Sequence, residues 1–232
     1  MLKCEKKALS LLINGYTIDP LADNSQKKIH MKLILLTPPE FFVEEHIILN
    51  ALFDEGLDML HIHKPGSEPI YCERLLKLID KQWRKKIVTH EHFYLKSEFK
   101  LNGIHLSPRN PIPPSKYKGH VSCTCQTFDT LLRRKDMCDY VFLSQIYDGI
   151  TNKSLTSSFS QEELKEAGMR GIIDYKVMAL GGISLETIDA LKSYNFGGCV
   201  IYGDIWKRFD FHSSSSYKGV INYFKQLRRK TE

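Results

Sequence analysis

Val177-Met178-Ala179-Leu180-Gly181-Gly182-Ile183 is the stretch that decides the fold, and Gly197-Gly198-Cys199-Val200-Ile201-Tyr202-Gly203 follows it as a second run of the same kind. Each is a short apolar run that ends at glycine, and a helical pattern follows the first. Glycine lets backbone N–H groups approach an anion closely, and a helix N-terminus adds partial positive charge. The runs therefore indicate either a phosphate-binding site or two buried strands ended by turn glycines.

Short β-rich runs alternate with amphipathic segments along the rest of the chain. The predicted strands are 33–36, 59–63, 87–90, 103–106, 121–124, 140–144, 176–180 and 199–202. The predicted helices are 43–55, 71–83, 93–99, 128–134, 162–170, 185–194 and 221–228. Eight strands alternating with helices predict an α/β fold, the parallel (β/α)8 TIM barrel. Loops after strands seven and eight of such barrels usually bind phosphate, which favours the first interpretation of the glycines.

The length of the chain suits a single barrel domain. It has 232 residues, 42% of them hydrophobic, and a barrel of this kind typically takes about 250 residues. The periodic pattern begins at Met31. We therefore expect residues 31–232 to form one TIM-barrel domain, and residues 1–30 to form a poorly ordered N-terminal extension, such as a frayed helix and a linker.

Charge and cysteine content restrict the partners and the compartment. The formal net charge is +6, and the basic residues are mostly spread along the chain, which disfavours nucleic acid and suits a phosphorylated small substrate. No apolar stretch approaches the length of a membrane span. The six cysteines show no C-x-x-C spacing, which indicates reduced thiols in the cytoplasm. We expect a cytoplasmic protein without nucleic-acid or membrane partners, and a homodimer is left open.

Polar residues cluster just beyond the predicted strands, where the active site of a barrel lies. They are His61, His63 and Lys64 after the second strand; His90, Glu91 and His92 after the third; Ser107, Arg109 and Asn110 after the fourth; Thr124 and Gln126 after the fifth; and residues 145–153 after the sixth. The Ser/Thr-rich loop 150–160 carries Lys153. This loop fits an anion-covering lid as well as an ordinary connection.

Paired histidines leave two interpretations open. His61 and His63 share one face of a strand, and His90 and His92 repeat the arrangement. Such pairs could bind a transition metal in a hydrolase, with Asp204 supplying a carboxylate after the last strand. However, a hydrolase of this kind also needs histidines on strands five and six, and the predicted strands five and six have none. We therefore favour structural histidines that are hydrogen-bonded in a polar barrel mouth.

A second set of residues suits a hard cation and a diphosphate. Glu91, together with Asn110, offers oxygen ligands for Mg²⁺. Lys64, Arg109 and Lys153 could neutralise a diphosphate, whose departure from carbon requires cations already in place. The alternative is that Lys64 and Lys153 are solvated loop lysines.

Five motifs occur in a characteristic order between about Met31 and Trp206. They are Leu60-His61-Ile62-His63-Lys64-Pro65, Ile87-Val88-Thr89-His90-Glu91-His92, Gly103-Ile104-His105-Leu106, Asp139-Tyr140-Val141-Phe142-Leu143-Ser144-Gln145-Ile146-Tyr147 and Ala179-Leu180-Gly181-Gly182-Ile183. This set resembles the thiamine-phosphate synthase (thiamine-phosphate pyrophosphorylase) family, whose superfamily also contains the thiazole tautomerase. The resemblance implies a TIM-barrel transferase that joins hydroxymethylpyrimidine diphosphate to thiazole phosphate with Mg²⁺ and releases diphosphate.

The resemblance also assigns roles to residues. It implies that Gly181, Gly182 and Gly203 hold the thiazole phosphate. The family's Arg-Glu-Lys segment falls on His63-Lys64-Pro65, and its Asn-Asp-Asp segment falls on His90-Glu91-His92. The remaining matches place the second metal aspartate at Asn110, the strand-five serine near Thr124 and the loop lysine at Asn152 or Lys153. The catalytic set is then Lys64, His63 and Lys153; the substrate set is Gly181, Gly182, Gly203, Thr124, Arg109 and His61; and the metal set is Glu91 and Asn110.

Two departures from the family pattern predict weakened activity. A neutral imidazole at His63 replaces a bidentate guanidinium, and an amide at Asn110 replaces a metal carboxylate. A phosphate-binding barrel without transferase activity is therefore an alternative. The tautomerase is a poorer match, because its catalytic histidine falls on Gln126, which cannot shuttle a proton at neutral pH.

Overall fold

The computed structural model describes residues 11–13, 16–18, 30–209 and 217–232. Near the N-terminus, Leu11–Ile13 (β1) pairs antiparallel with Tyr16–Ile18 (β2). The frayed helix and linker expected within residues 1–30 thus lie largely outside the described residues, and the described part forms strands instead.

Eight parallel strands form a closed barrel. Their bounds are Lys32–Leu36 (β3), Met59–Ile62 (β4), Ile87–Thr89 (β5), Gly103–Leu106 (β6), His120–Cys125 (β7), Tyr140–Leu143 (β8), Val177–Leu180 (β9) and Gly198–Ile201 (β10). The strands follow one another around the barrel in chain order, and β10 closes it by pairing with β3. The predicted (β/α)8 TIM barrel is confirmed.

Helices lie between the strands and cover the outside of the barrel. The α-helices are Glu45–Asp54 (α1), Pro69–Leu78 (α2), Leu95–Glu98 (α3), Phe128–Lys135 (α4), Gln161–Met169 (α5), Gly203–Trp206 (α6) and Tyr217–Thr231 (α7), and the 3₁₀ helices are Lys81–Lys86 and Ile188–Tyr194. Capping boxes begin α4 at Thr127 and α5 at Ser160, which explains their sharp starts. Among the described residues no helix has the length and hydropathy needed to cross a membrane.

Two predicted helices differ in the structure. The helix predicted at 71–83 ends at Leu78, because Asn50 caps it: its side-chain amide donates to the Leu78 carbonyl and accepts the Asp80 N–H. The helix predicted at 185–194 is a 3₁₀ helix that begins at Ile188. Before it, the Thr187 hydroxyl donates to the Gly182 carbonyl and accepts the Ser184 N–H, so side-chain hydrogen bonds replace the first helical turn.

The interior of the barrel is divided into an apolar and a polar half. Side chains from β3, β8, β9 and β10 fill one half, and these are Ile34, Leu36, Tyr140, Phe142, Met178 and Val200. The inward positions of β4, β6 and β7 are polar instead, since they carry His61, His105 and Ser122, all buried. Period-two alternation on each strand sends their neighbours outward to the core beneath the helices. The polar half lies directly below the mouth of the barrel.

Candidate functional site

A cavity of about 410 Å³ opens at the carboxyl ends of the barrel strands. Gly181 and Gly182 after β9 line one side, and Gly203 after β10 lines the other. We call it the glycine cavity. The structure thus brings together the three glycines that the sequence places on a phosphate site, and its volume suits a small organic ligand.

Close packing of the loop after β9 requires glycine. Gly182 has a φ of +65°, and a Cβ built there would lie 2.5 Å from the Asp148 carbonyl oxygen. Gly181 has a φ of +106° and packs against the Gln145 side chain, and its carbonyl accepts the Tyr147 N–H at 3.1 Å. Both glycines therefore hold a backbone conformation that other residues rarely adopt, in contact with the loop after β8.

The loop after β8 covers the glycine cavity. Gly149, Thr151 and Asn152 line it, and the Gly149 N–H donates to the Leu155 carbonyl at 2.7 Å. The Thr151 side chain packs over Gly203. Lys153 itself is exposed and is absent from the described lining of the cavity. The loop lies where a lid would lie, but Thr151 and Asn152 line the cavity rather than Lys153.

A second cavity of about 310 Å³ adjoins the first. We call it the histidine cavity, because His63, His90 and His105 line it. The two cavities share three lining residues, Leu36, His63 and Leu180, so they form two compartments of one barrel mouth. Thr124, which the sequence predicts as a substrate-binding residue, lines the histidine cavity.

A hydrogen-bonded histidine network lies beneath the histidine cavity. His61 Nδ1 lies 2.9 Å from His90 Nε2, and His61 Nε2 lies 2.8 Å from the Tyr140 hydroxyl. His105 bonds through its two ring nitrogens to the hydroxyls of Ser122 and Thr124, each at 2.9 Å. His61 is fully buried and lies outside the lining of both cavities. The expectation that His61 contacts a substrate is therefore not met in this structure.

Burial keeps these imidazoles neutral. Desolvation, with smaller contributions from His105 and His63, lowers the pKa of His61 well below its usual 6.5. Desolvation likewise lowers the pKa of His90, and it lowers that of His105 to about 3 with help from His63. Neutral imidazoles each offer one donor and one acceptor, which is what the network uses.

The two histidines of each pair that the sequence analysis singled out contact different partners in the structure. His61 lies on β4 and His63 directly after it, yet His61 bonds to His90 while His63 Nδ1 lies 3.2 Å from Glu91 Oε1. His92 Nε2 lies 2.9 Å from the Ser67 carbonyl, away from both cavities. Asp204, the carboxylate that a metal-dependent hydrolase would need, is buried among Lys207, Arg208 and Tyr223. The structure therefore does not support a metal-dependent hydrolase that uses the two histidine pairs and Asp204 as its ligands.

Glu91 is held by both of its oxygens. Oε1 lies beside His63 Nδ1, and Oε2 accepts the backbone N–H of Lys64 at 3.0 Å. Asn110 and Arg109 are exposed on the loop after β6, where the backbone of Asn110 pairs with Ser107. Glu91 and Asn110 thus lie on neighbouring loops at the mouth of the barrel.

Lys64 is not in the mouth of the barrel. Its side chain is fully buried, and its Nζ lies 2.7 Å from Glu45 Oε1 on α1 and 2.8 Å from the Glu40 carbonyl. It also lies 4.4 Å from the centre of the Phe41 ring. Desolvation raises the pKa of Glu45 from 4.5 to about 7 against the opposing effect of Lys64. The expected diphosphate contact of Lys64 is replaced by an internal ion pair that fixes the loop carrying His63.

Three residues that line the histidine cavity or lie beneath it were not predicted as site residues. His105 and Tyr140 occupy inward positions of β6 and β8, and strict alternation along these strands could have identified them. Arg134 on α4 lines the histidine cavity. Arg134 belongs to the basic run Arg133-Arg134-Lys135, and no periodicity in the sequence separates it from its neighbours.

Comparison with known proteins gives relatives among solved structures only. No protein-family model and no curated protein matches the chain. A thiamine phosphate pyrophosphorylase from Bacteroides thetaiotaomicron is 50% identical, with a TM-score of 0.81 over 86% of this chain and 97% of its own. A thiamine phosphate pyrophosphorylase from Pyrococcus furiosus is 12% identical (TM-score 0.67, covering 88% and 96%). Tryptophan synthase subunit alpha from Legionella pneumophila is 11% identical (TM-score 0.62, covering 87% and 92%).

The fold defines the structural class of the protein, and the comparison identifies its family within that class. A closed barrel of eight parallel strands with helices around it belongs to the class of (β/α)8 barrels. The distant structures share this fold alone. At 50% identity over nearly the whole of the relative's length, the chain belongs to the thiamine phosphate pyrophosphorylase family.

Proposed function

We propose that the protein is a transferase that joins hydroxymethylpyrimidine diphosphate to thiazole phosphate and releases diphosphate. The observation that carries the proposal is the pair of adjoining cavities, because a reaction between two substrates needs two compartments with a common boundary. Membership of the thiamine phosphate pyrophosphorylase family supplies the chemistry. The five described cysteines are all buried as free thiols, which supports a cytoplasmic enzyme.

The glycine cavity is the proposed site of the thiazole phosphate. Gly181, Gly182 and Gly203 have no side chains of their own, so they bring the backbones of two neighbouring loops to its edge. Backbone N–H groups in such loops bind phosphate oxygens without needing a charged side chain. Thr151 and Asn152 from the loop after β8 then cover the bound phosphate and exclude water.

The histidine cavity is the proposed site of the pyrimidine diphosphate. Arg134 is the cation that reaches its lining, and Arg109 and Lys153 lie exposed on loops at the same mouth. His63 stands on the boundary with the glycine cavity, where the new bond between the two substrates must form. Its imidazole is therefore placed to donate a hydrogen bond to the departing diphosphate.

We propose Glu91 and Asn110 as oxygen ligands of a magnesium ion on the neighbouring loops after β5 and β6. Mg²⁺ prefers oxygen ligands and is commonly held by one or two carboxylates together with substrate phosphates. Glu91 supplies the carboxylate and Asn110 an amide oxygen. Bound there, the ion would neutralise the charge that develops on the leaving diphosphate. His63 and the backbone N–H of Lys64 hold the Glu91 carboxylate in one orientation.

Replacing His63 by arginine is expected to raise the turnover. A guanidinium at this boundary adds a charged hydrogen bond to the leaving diphosphate, worth about 1.5 to 3 kcal/mol. If the bond acts only in the transition state, the rate rises roughly tenfold to hundredfold. The measurement is the rate of thiamine phosphate formation by His63→Arg and by the wild type, at saturating concentrations of both substrates and Mg²⁺.

The matched control is His92→Arg, which adds the same charge to the neighbouring loop but away from both cavities. Its turnover should equal that of the wild type. An equal rise in the turnover of both variants would mean that the added net charge causes it. A lower turnover of His63→Arg than of the wild type would contradict the proposed role of His63.

A phosphate-binding protein without transferase activity is the second candidate. The observation that favours it is the withdrawal of the Lys64 ammonium into a buried pair with Glu45, which leaves fewer cations for a diphosphate. Such a protein would bind thiazole phosphate in the glycine cavity and form no product with either His63→Arg or Asn110→Asp.

A further inference from the structure

Three imidazoles from neighbouring strands converge inside the polar half of the barrel. The ligating atoms of His61, His90 and His105 all lie within 4.8 Å of one another. The three residues are buried. They lie on β4, directly after β5 and on β6, so three successive strands aim one side chain each at the same point.

We propose that His61, His90 and His105 form a binding site for a late first-row divalent metal ion such as Zn²⁺. This site is separate from the oxygen ligands Glu91 and Asn110, and it does not depend on the proposed transferase activity. Imidazole nitrogen suits zinc, copper and nickel, whereas magnesium prefers oxygen. The donor set therefore discriminates between the two kinds of ion.

The closest contact in the cluster shows where the ion would lie. His61 Nδ1 and His90 Nε2 face each other at 2.9 Å, so a single hydrogen lies between two ring nitrogens. An ion at this place accepts both lone pairs once that hydrogen has moved to the other nitrogen of its own ring, so both imidazoles stay neutral. Two nitrogens on tetrahedral zinc are about 3.3 Å apart, given Zn–N bonds of 2.0–2.1 Å. The two rings need to separate by only a few tenths of an ångström.

His105 provides the third ligand. Its ring stacks on that of His90, with the ring centres 4.2 Å apart. Its two nitrogens bond to the hydroxyls of Ser122 and Thr124. One nitrogen can exchange its hydroxyl partner for the ion while the other retains its own. The retained hydroxyl then orients the ring, as the second partner of a metal-bound histidine commonly does.

The surroundings resemble the outer shell of a metal site. The Tyr140 hydroxyl lies 2.8 Å from His61 Nε2, which leaves Nδ1 directed at the other histidines. The Phe142 ring packs within 4.8 Å, centre to centre, of both His61 and His105 and forms an apolar wall. Hydrogen-bonded second partners and an apolar shell both increase the affinity of a histidine site for metal.

The cluster has an open side. His90 and His105 line the histidine cavity, so an ion can enter from the mouth of the barrel. With three histidine ligands, the fourth position would face this cavity and take a water molecule or a ligand donor atom. The proposed site is therefore of the open three-histidine type.

Zinc titration of the full-length protein tests the proposal. After dialysis against a chelator, calorimetry with Zn²⁺ should show one ion bound per chain. Co²⁺ loaded instead should give the visible absorption of a four- or five-coordinate nitrogen site. Absence of stoichiometric zinc uptake by the wild type, or a Co²⁺ spectrum typical of six oxygen ligands, would overturn the proposal.

Variants locate the ion. His90→Gln and His105→Gln should each weaken zinc binding by about a hundredfold or more, and Tyr140→Phe should weaken it by about 10- to 100-fold as an outer-shell change. His92→Gln, on the same loop as His90 but outside the cluster, should bind zinc as the wild type does. Unchanged affinity in both cluster variants would place the ion elsewhere and refute the site. If either variant fails to fold, the wild-type Co²⁺ spectrum decides.

Discussion

Lys64→Met should destabilise the protein by about 3 to 5 kcal/mol at pH 8, because it leaves the buried carboxylate of Glu45 without its partner. The folded variant then has to keep Glu45 neutral. This costs about 1.4 kcal/mol for each pH unit above the usual pKa of 4.5. A raised pKa in the folded state makes stability fall as pH rises. The wild type bears the same cost up to its own Glu45 pKa of about 7, so the loss caused by the substitution should be about 1.4 kcal/mol larger at pH 8 than at pH 5. Urea denaturation at the two pH values measures it.

The control is the double variant Glu45→Gln, Lys64→Met, which removes both charges from the same place. It should recover most of the lost stability and show little of the pH dependence. Equal losses in the single and double variants at both pH values would mean that Lys64 acts through packing alone. A fully stable single variant would contradict the ion pair itself.

Gly182→Ala should weaken the binding of inorganic phosphate by more than about a hundredfold. The new Cβ would lie 2.5 Å from the Asp148 carbonyl oxygen and 2.6 Å from Tyr147 Cβ, so the loops after β8 and β9 must separate. Two backbone hydrogen bonds to the anion lost in this way, at about 1.5 to 3 kcal/mol each, exceed a hundredfold in affinity. Calorimetric titration with phosphate measures the change.

Gly171→Ala is the matched control. Gly171 has a φ of +70°, close to that of Gly182, but nothing lies within 4 Å of a Cβ built there. Both variants therefore bear a similar backbone strain, and only Gly182→Ala closes the proposed phosphate site. Phosphate binding should be normal in Gly171→Ala. Normal binding in both variants would remove the phosphate site from the glycine cavity.

The barrel could be predicted from the sequence because each strand is short, apolar and ended by a recognisable residue. Val177–Leu180 and Gly198–Ile201 both lie within the runs that end at glycine. The helices were harder to predict, since hydrogen bonds from distant side chains set their ends. Asn50 on α1 ends α2, and no pattern within residues 71–83 reveals that contact.

The site could be predicted from the sequence where the order of the strands fixes the position of the backbone. It could not be predicted where the partner of a long side chain decides its direction. Gly181, Gly182 and Gly203 lie together because strand order places adjacent loops together. Lys64 lies two residues after the end of β4, yet its flexible side chain turns to Glu45, nineteen positions earlier. A sequence shows which residues follow a strand, but the direction of a long side chain depends on which buried charge it can neutralise.

The most direct test of the proposed transferase is a single incubation of the wild-type protein with hydroxymethylpyrimidine diphosphate, thiazole phosphate and Mg²⁺. We expect thiamine phosphate and inorganic diphosphate to form in equal amounts, and neither to form when one substrate is left out. The contradicting result is binding of thiazole phosphate with no product, both in the wild type and in the double variant His63→Arg, Asn110→Asp. That result would make the protein a phosphate-binding barrel without transferase activity.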